Sequence, residues 1–153
     1  MTVTGKPLTP YATMPLLVGD IVKPGLVSCD RETPAVEVAK LMQGARSAAV
    51  VVCERGRDPA VHVWGVVSAG NIVRAIAAGD PRASATALAR TPVIRIRATQ
   101  TVREAARVMD AARVTGLLVT DDDGRPRGWL SSADLVAQLA AGSPEQSDGR
   151  SDH

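Results

Sequence analysis

Four apolar positions recur along this chain at one fixed interval, and that recurrence limits the possible folds more than any other feature. Ala35, Val38, Ala39 and Met42 return 67 residues later as Val102, Ala105, Ala106 and Met109. Each set is an i, i+3, i+4, i+7 stripe, the spacing of one helix face. Both stripes follow a helix-start signal. Thr33-Pro34 predicts proline in the first turn of one helix, and Thr101-x-x-Glu104 predicts a capping box on the other. An internal duplication implies two copies of one supersecondary unit.

The segments after the helices extend the duplication. Apolar runs over 48–52 and 116–119 read as buried strands. Asp123-Gly124 predicts a hairpin turn after the second run, and Gly56, Asp58 and Pro59 predict a longer loop after the first. Returning strands over 64–67 and 128–130 then lead into apolar-periodic helices over 68–76 and 131–139. Short extended stretches over 25–28 and 91–94 precede the first helix of each copy, which makes the unit β-α-β-β-α. Gly79-Asp80-Pro81 is a helix stop and turn that separates the copies. The expected division is an N-terminal segment 1–16, repeats over 17–79 and 84–142, and a polar, disordered tail 143–153. A three-stranded sheet with two helices leaves one sheet face bare, so the two copies are expected to pack against each other.

Composition narrows the function. Lys and Arg number 18 against 16 Asp and Glu, and the aromatics are Tyr11, Trp64 and Trp129 alone. A net charge of +2 with so few stacking rings argues against nucleic acid as a partner. Cys29 and Cys53 stand 24 residues apart with no CxxC, and only His62 and His153 accompany them, so they read as reduced core thiols with no metal. Asp121-Asp122-Asp123 lacks the remaining positions of a calcium loop and reads as a solvated hairpin tip. No signal peptide or membrane-length apolar run is present, which predicts a cytoplasmic protein without a membrane partner. No nucleophile–base pair, P-loop or metal motif appears, so the chain is not expected to be an enzyme or to require a cofactor.

Gly128 to Asp134 has the form Gly-apolar-apolar-Ser-x-x-Asp, set after the second strand of a hairpin and opening a helix. With the duplicated order of elements, this resembles the cystathionine β-synthase (CBS) domain, and the tandem pair resembles a Bateman module. The resemblance covers residues 17–142. It implies a mixed α/β (α+β) fold in which two CBS repeats pack sheet to sheet with pseudo-twofold symmetry. Two clefts then lie between the repeats and commonly take adenosine-containing ligands such as AMP, ADP, ATP or S-adenosylmethionine.

The resemblance places Asp134 at ribose hydroxyls with Ser131 beside it. It places Leu26 and Val27 near adenine, and Arg46, Ser47 and Ala48 near phosphate. Trp129 lies on the same strand face as Ser131 and either stacks on adenine or fills the cleft. The symmetry-related cleft would use Ser68, Asn71, Val93, Ile94, Arg113, Val114, Thr115 and Gly116. There Asn71 replaces the carboxylate and Val114 replaces the serine, so a weaker or empty second site is expected. Ser131 with Asp134, and Ser68 with Asn71, also read as plain helix caps.

Two functions follow. The first is a stand-alone regulatory module that binds an adenosine-containing small molecule and signals to a client protein. The second is a ligand-free scaffold that dimerises or docks a partner. CBS pairs commonly form flat homodimers through their helices, and the alanine-rich stretches 75–78 and 137–141 suit close helix contact.

Overall fold

The computed structural model describes residues 15–54 and 62–141. Its elements are α1 (Val18–Ile21), β1 (Ser28–Asp30), α2 (Ala35–Ala45), β2 (Ala49–Cys53), β3 (Gly65–Ser68), α3 (Ala69–Ala77), α4 (Ala85–Leu88), β4 (Arg95–Arg97), α5 (Val102–Ala112), β5 (Gly116–Thr120), β6 (Pro126–Ser131) and α6 (Ser132–Ala141). They build two sheets, β1-β2-β3 and β4-β5-β6, each with a parallel first pair and an antiparallel second pair. The predicted loop at Gly56, Asp58 and Pro59 and most of both terminal segments lie outside the described residues. No helix among the described residues is long and apolar enough to cross a membrane.

Alternation along the central strands makes three apolar layers. Val50 and Val52 of β2 face α2 and α3, where they pack with Val38, Met42 and Ala75. Leu117 and Val119 of β5 face the other way from Leu118 and pack with Ala105, Met109 and Leu130. Between the sheets lie Ala49, Val51, Cys53 and Val66 from the first repeat and Val93 and Leu118 from the second. The two repeats therefore pack sheet to sheet.

Three local expectations need correction. The first strands begin at Ser28 and Arg95, three and four residues after the starts of the predicted stretches. Leu26, Val27, Val93 and Ile94 are apolar because they line the seam between repeats, and short apolar runs report burial without reporting strand pairing. Pro34 occupies the cap position of α2 instead of its first turn, with φ −75° and ψ 154°. No side chain caps this helix; the N–H groups of Ala35 and Val36 donate to the carbonyls of Ala83 at 2.8 Å and Pro81 at 2.9 Å. The stripe on α5 is also narrower than expected, for Ala106 is exposed. The Thr101–Glu104 capping box is present: Thr101 Oγ1 accepts from Glu104 N at 3.0 Å, and Glu104 Oε1 accepts from Thr101 N at 2.8 Å. At the hairpin tip Asp121 Oδ1 accepts from Asp123 N and Arg125 N, so this carboxylate holds the turn, and Gly124 has φ +84°.

Neither repeat completes its own core. The short helix α1 opens the first repeat yet packs on the second, with Val18 fully buried among Ile96, Ala105 and Leu130. Its Val18 and Gly19 N–H groups donate to the carbonyls of Gln100 and Ala98, each at 2.8 Å. The equivalent helix α4 packs on the first repeat, where Ala85 and Leu88 join Val38 and Val67. The repeats thus exchange their leading helices. This exchange explains the glycine that opens each hairpin-to-helix motif. A Cβ on Gly65 would stand 3.2 Å from the Arg90 carbonyl, and one on Gly128 would overlap the Lys23 carbonyl. Both glycines lie where the exchanged segment crosses the strand.

Neither cysteine is joined in a disulfide, and the two lie on adjacent strands. Cys29 packs on the helix side of its sheet and Cys53 on the inter-sheet side, so they face apart. Burial pushes the Cys29 thiol up from 9.0 to about 11, aided by the charge of Asp30 and opposed by a hydrogen bond with Thr33. A raised thiol pKa means that the neutral form is favoured by folding. Its contribution to stability is complete below pH 9.0 and is lost as pH rises toward about 11. The melting temperature of the parent should therefore fall more steeply across this window than that of Cys29→Ala; parallel curves would contradict the assignment.

Candidate functional site

Two clefts open along the seam, and each takes residues from both repeats. The larger, about 530 Å³, brings together Leu26, Val27, Arg46, Ser47 and Ala48 from the first repeat with Trp129, Ser131 and Asp134 from the second. All eight residues predicted for one site thus share one cleft.

Helix ends position the polar groups of this cleft. After α2 the chain turns through Arg46 in the left-handed region, φ 52° and ψ 44°, with Ser47 N donating to the Met42 carbonyl at 3.0 Å. Glycine is the usual occupant of such a turn, and a side chain there costs about 1–2 kcal/mol. Arg113 repeats this conformation after α5, φ 56° and ψ 47°. Among the described residues these are the non-glycine positions with positive φ, and both line a cleft. The Ser47 hydroxyl donates to the Ala49 carbonyl at 2.7 Å, which secures the loop and engages the hydroxyl locally.

Asp134 does cap α6. Its Oδ2 accepts from Ser131 N at 2.8 Å, and its own N–H donates to Ser131 Oγ at 3.2 Å. Its other oxygen, Oδ1, accepts no hydrogen bond among the described residues and remains available at the wall of the larger cleft. Capping and ligand contact are therefore compatible in one carboxylate. Lys23 and Ala133 also line this cleft and were not anticipated; the Lys23-Pro24-Gly25 turn was the available signal.

The second cleft is smaller, about 190 Å³, and gathers Ser68, Asn71, Ile94, Arg113, Thr115 and Gly116 as predicted, with Val93 and Val114. Two arginines join them unpredicted. Arg74 follows Asn71 at i+3 on α3, a spacing that puts both on one face, and Arg90 repeats the position of Lys23. Trp129 borders both clefts. Its indole lies against Gly116 where any Cβ would overlap the ring. The corresponding residue of the first repeat is Val66, which lines the smaller cleft alone, so the indole reaches both clefts and the isopropyl group only one.

Comparisons with known proteins match this geometry. Among solved structures, the chain is similar to a CBS domain protein from Pyrobaculum aerophilum complexed with AMP, at 26% identity and TM-score 0.70, over 83% of this chain and 100% of that one. It is also similar to a CBS-domain containing protein from Agrobacterium tumefaciens, at 22% identity and TM-score 0.71, over 81% and 93%. The CBS domain pair of protein MJ0100, in complex with 5′-methylthioadenosine and S-adenosyl-L-methionine, aligns at 19% identity and TM-score 0.73, over 83% and 98%. A comparison with curated proteins finds no match. The CBS domain family model matches twice, over residues 18–78 and 85–141, which are the two units that exchange their leading helices around the clefts. The chain accordingly belongs to the CBS domain family, of which it carries two copies in tandem.

Proposed function

We propose that this CBS pair is a regulatory, non-catalytic module that binds an adenosine-containing ligand in the Asp134 cleft. The observation that carries the reading is the unengaged Asp134 Oδ1 in a composite cleft of about 530 Å³, within the roughly 300–1,000 Å³ typical of small-molecule sites. A carboxylate accepts from both hydroxyls of a ribose, Ser131 supports it, and Leu26 and Val27 supply an apolar berth for adenine. Arg46 offers a planar donor fork to a phosphate or carboxylate, with the backbone around Ser47 and Ala48 beside it. The Pyrobaculum relative complexed with AMP and the MJ0100 pair complexed with S-adenosyl-L-methionine support this ligand class. Cys29 and Cys53, neither of them in a disulfide, fit a reducing cytoplasm. Signalling to a client protein would scale with the ligand's differential affinity for two states of the module.

Thermal unfolding against AMP, ADP, ATP, S-adenosylmethionine and GMP tests the reading. A ligand at about 100 times its dissociation constant stabilises by about 2.7 kcal/mol, which raises the midpoint by several degrees at this size. No shift with any adenine ligand would remove the sensor reading.

The exposed faces of α3 and α6 favour assembly as a second property. Val73 and Ile76 are 62% and 70% exposed, and their counterparts Val136 and Leu139 are 68% and 61% exposed. Ala75, by contrast, is buried in the core and does not belong to this face. Four large aliphatic side chains related by the pseudo-twofold suit a symmetric homodimer. Sedimentation should give a dimer for the parent and a monomer for Ile76→Glu with Leu139→Glu. A monomeric parent would exclude the homodimer.

A further inference from the structure

We propose that the Asn71 cleft is a separate site for a compact polyanion of the pyrophosphate class, in place of a second nucleoside site. The first support is the state of Asn71, which is only 7% exposed. Its Oδ1 accepts from Ser68 N at 2.8 Å and from Ser68 Oγ at 3.1 Å. A backbone N–H only donates, so this contact fixes which end of the amide is oxygen. The NH2 group of this cleft-lining residue is thereby left with no hydrogen-bond partner among the described residues. Leaving a buried donor unsatisfied costs about 1–3 kcal/mol, which an acceptor on a ligand would recover.

The second support is charge. Arg74, Arg90 and Arg113 line this cleft, no carboxylate lines it, and none of the three arginines has an ion pair among the described residues. In the other cleft the position of Asn71 is held by Asp134 and that of Arg74 by Ala137. One exchange turns an acceptor into a donor, and the other adds a guanidinium. The Asp134 cleft thus offers a charged acceptor suited to hydroxyl donors, whereas the Asn71 cleft offers donors suited to phosphate oxygens.

The third support is size. With the Trp129 indole against Gly116, about 190 Å³ is left, below the roughly 300 Å³ at which small-molecule pockets begin. Two linked phosphates fit such a volume better than a nucleoside with its phosphates. The proposal concerns this cleft alone and does not depend on what the Asp134 cleft binds.

Trp129 provides the reporter, because Trp64→Phe leaves it as the single tryptophan. Inorganic pyrophosphate is titrated at constant ionic strength with chloride as the screening control, by tryptophan emission and by calorimetry. Adenosine and ADP serve as competitors, which separates a free pyrophosphate group from one carried on a nucleoside. Saturable binding that adenosine does not displace is expected, with affinity reduced about tenfold or more in Asn71→Asp and in Arg113→Gln. Asn71→Asp should fold normally, since Asp134 makes the equivalent contact to Ser131 N. Three results would each overturn the proposal: absence of calorimetric binding, affinity unchanged in both variants, or displacement of pyrophosphate by adenosine. Loss of adenine-ligand binding with pyrophosphate binding intact would count against the function proposed for the Asp134 cleft and leave this site standing.

Discussion

Gly128→Ala is expected to lower stability by about 3 kcal/mol, or roughly 6–12 °C in the melting temperature of a chain of this size. The new Cβ would overlap the backbone carbonyl of Lys23, and Val22 Cγ2 stands 3.0 Å from the same position. A carbonyl cannot rotate away as the end of a side chain can. Relief therefore requires the exchanged segment to lift off the second repeat, which loosens α1. The Val18 and Gly19 amides, bonded to the Gln100 and Ala98 carbonyls, should lose hydrogen-exchange protection first. Gly44→Ala is the matched control. Gly44 lies in α2 with open space around its Cα, so alanine there should raise stability by about 0.5–1 kcal/mol. A Gly128→Ala protein that melts with the parent would refute the close crossing.

Asp134→Asn is expected to weaken an adenosine ligand about tenfold to a hundredfold while leaving the fold intact, and calorimetry reads both arms. Hydrogen bonds to a charged acceptor contribute about 1.5–3 kcal/mol, which is the origin of this range. The structure contains the control for folding. Asn71 accepts from Ser68 N at 2.8 Å, the same distance at which Asp134 accepts from Ser131 N. An amide therefore keeps the cap and removes only the charge and one acceptor from the cleft. Asp134→Ala should lose about 1 kcal/mol of stability as well, because the cap disappears with the ligand contact. Equal affinity in parent and Asp134→Asn would show that the carboxylate only caps its helix.

Much of the candidate site was legible because its residues sit at element ends that sequence marks well. Arg46 follows the last turn of a periodic helix, and Ser131 with Asp134 opens another, so duplication located both ends. Arg74 lies outside the motif, and only its i+3 spacing from Asn71 on the same helix face marks it as a cleft residue. Asn71 and Val114 marked the clefts as chemically unequal, but their unequal volumes were not legible, because the indole that narrows one of them lies against a glycine on the neighbouring strand.

Spacing alone determined the two β-α-β-β-α units and their order, because helix and strand periods are local properties that repeat when the chain repeats; the composite clefts followed from the family resemblance. The tertiary structure decided what those units share. A four-residue helix such as α1 has too few positions to show a period, and Val18 meets its neighbours about 80 residues further along. Only packing could reveal that each repeat is closed by the other's leading helix. For the same reason packing alone explains why the residue opening the motif must be glycine.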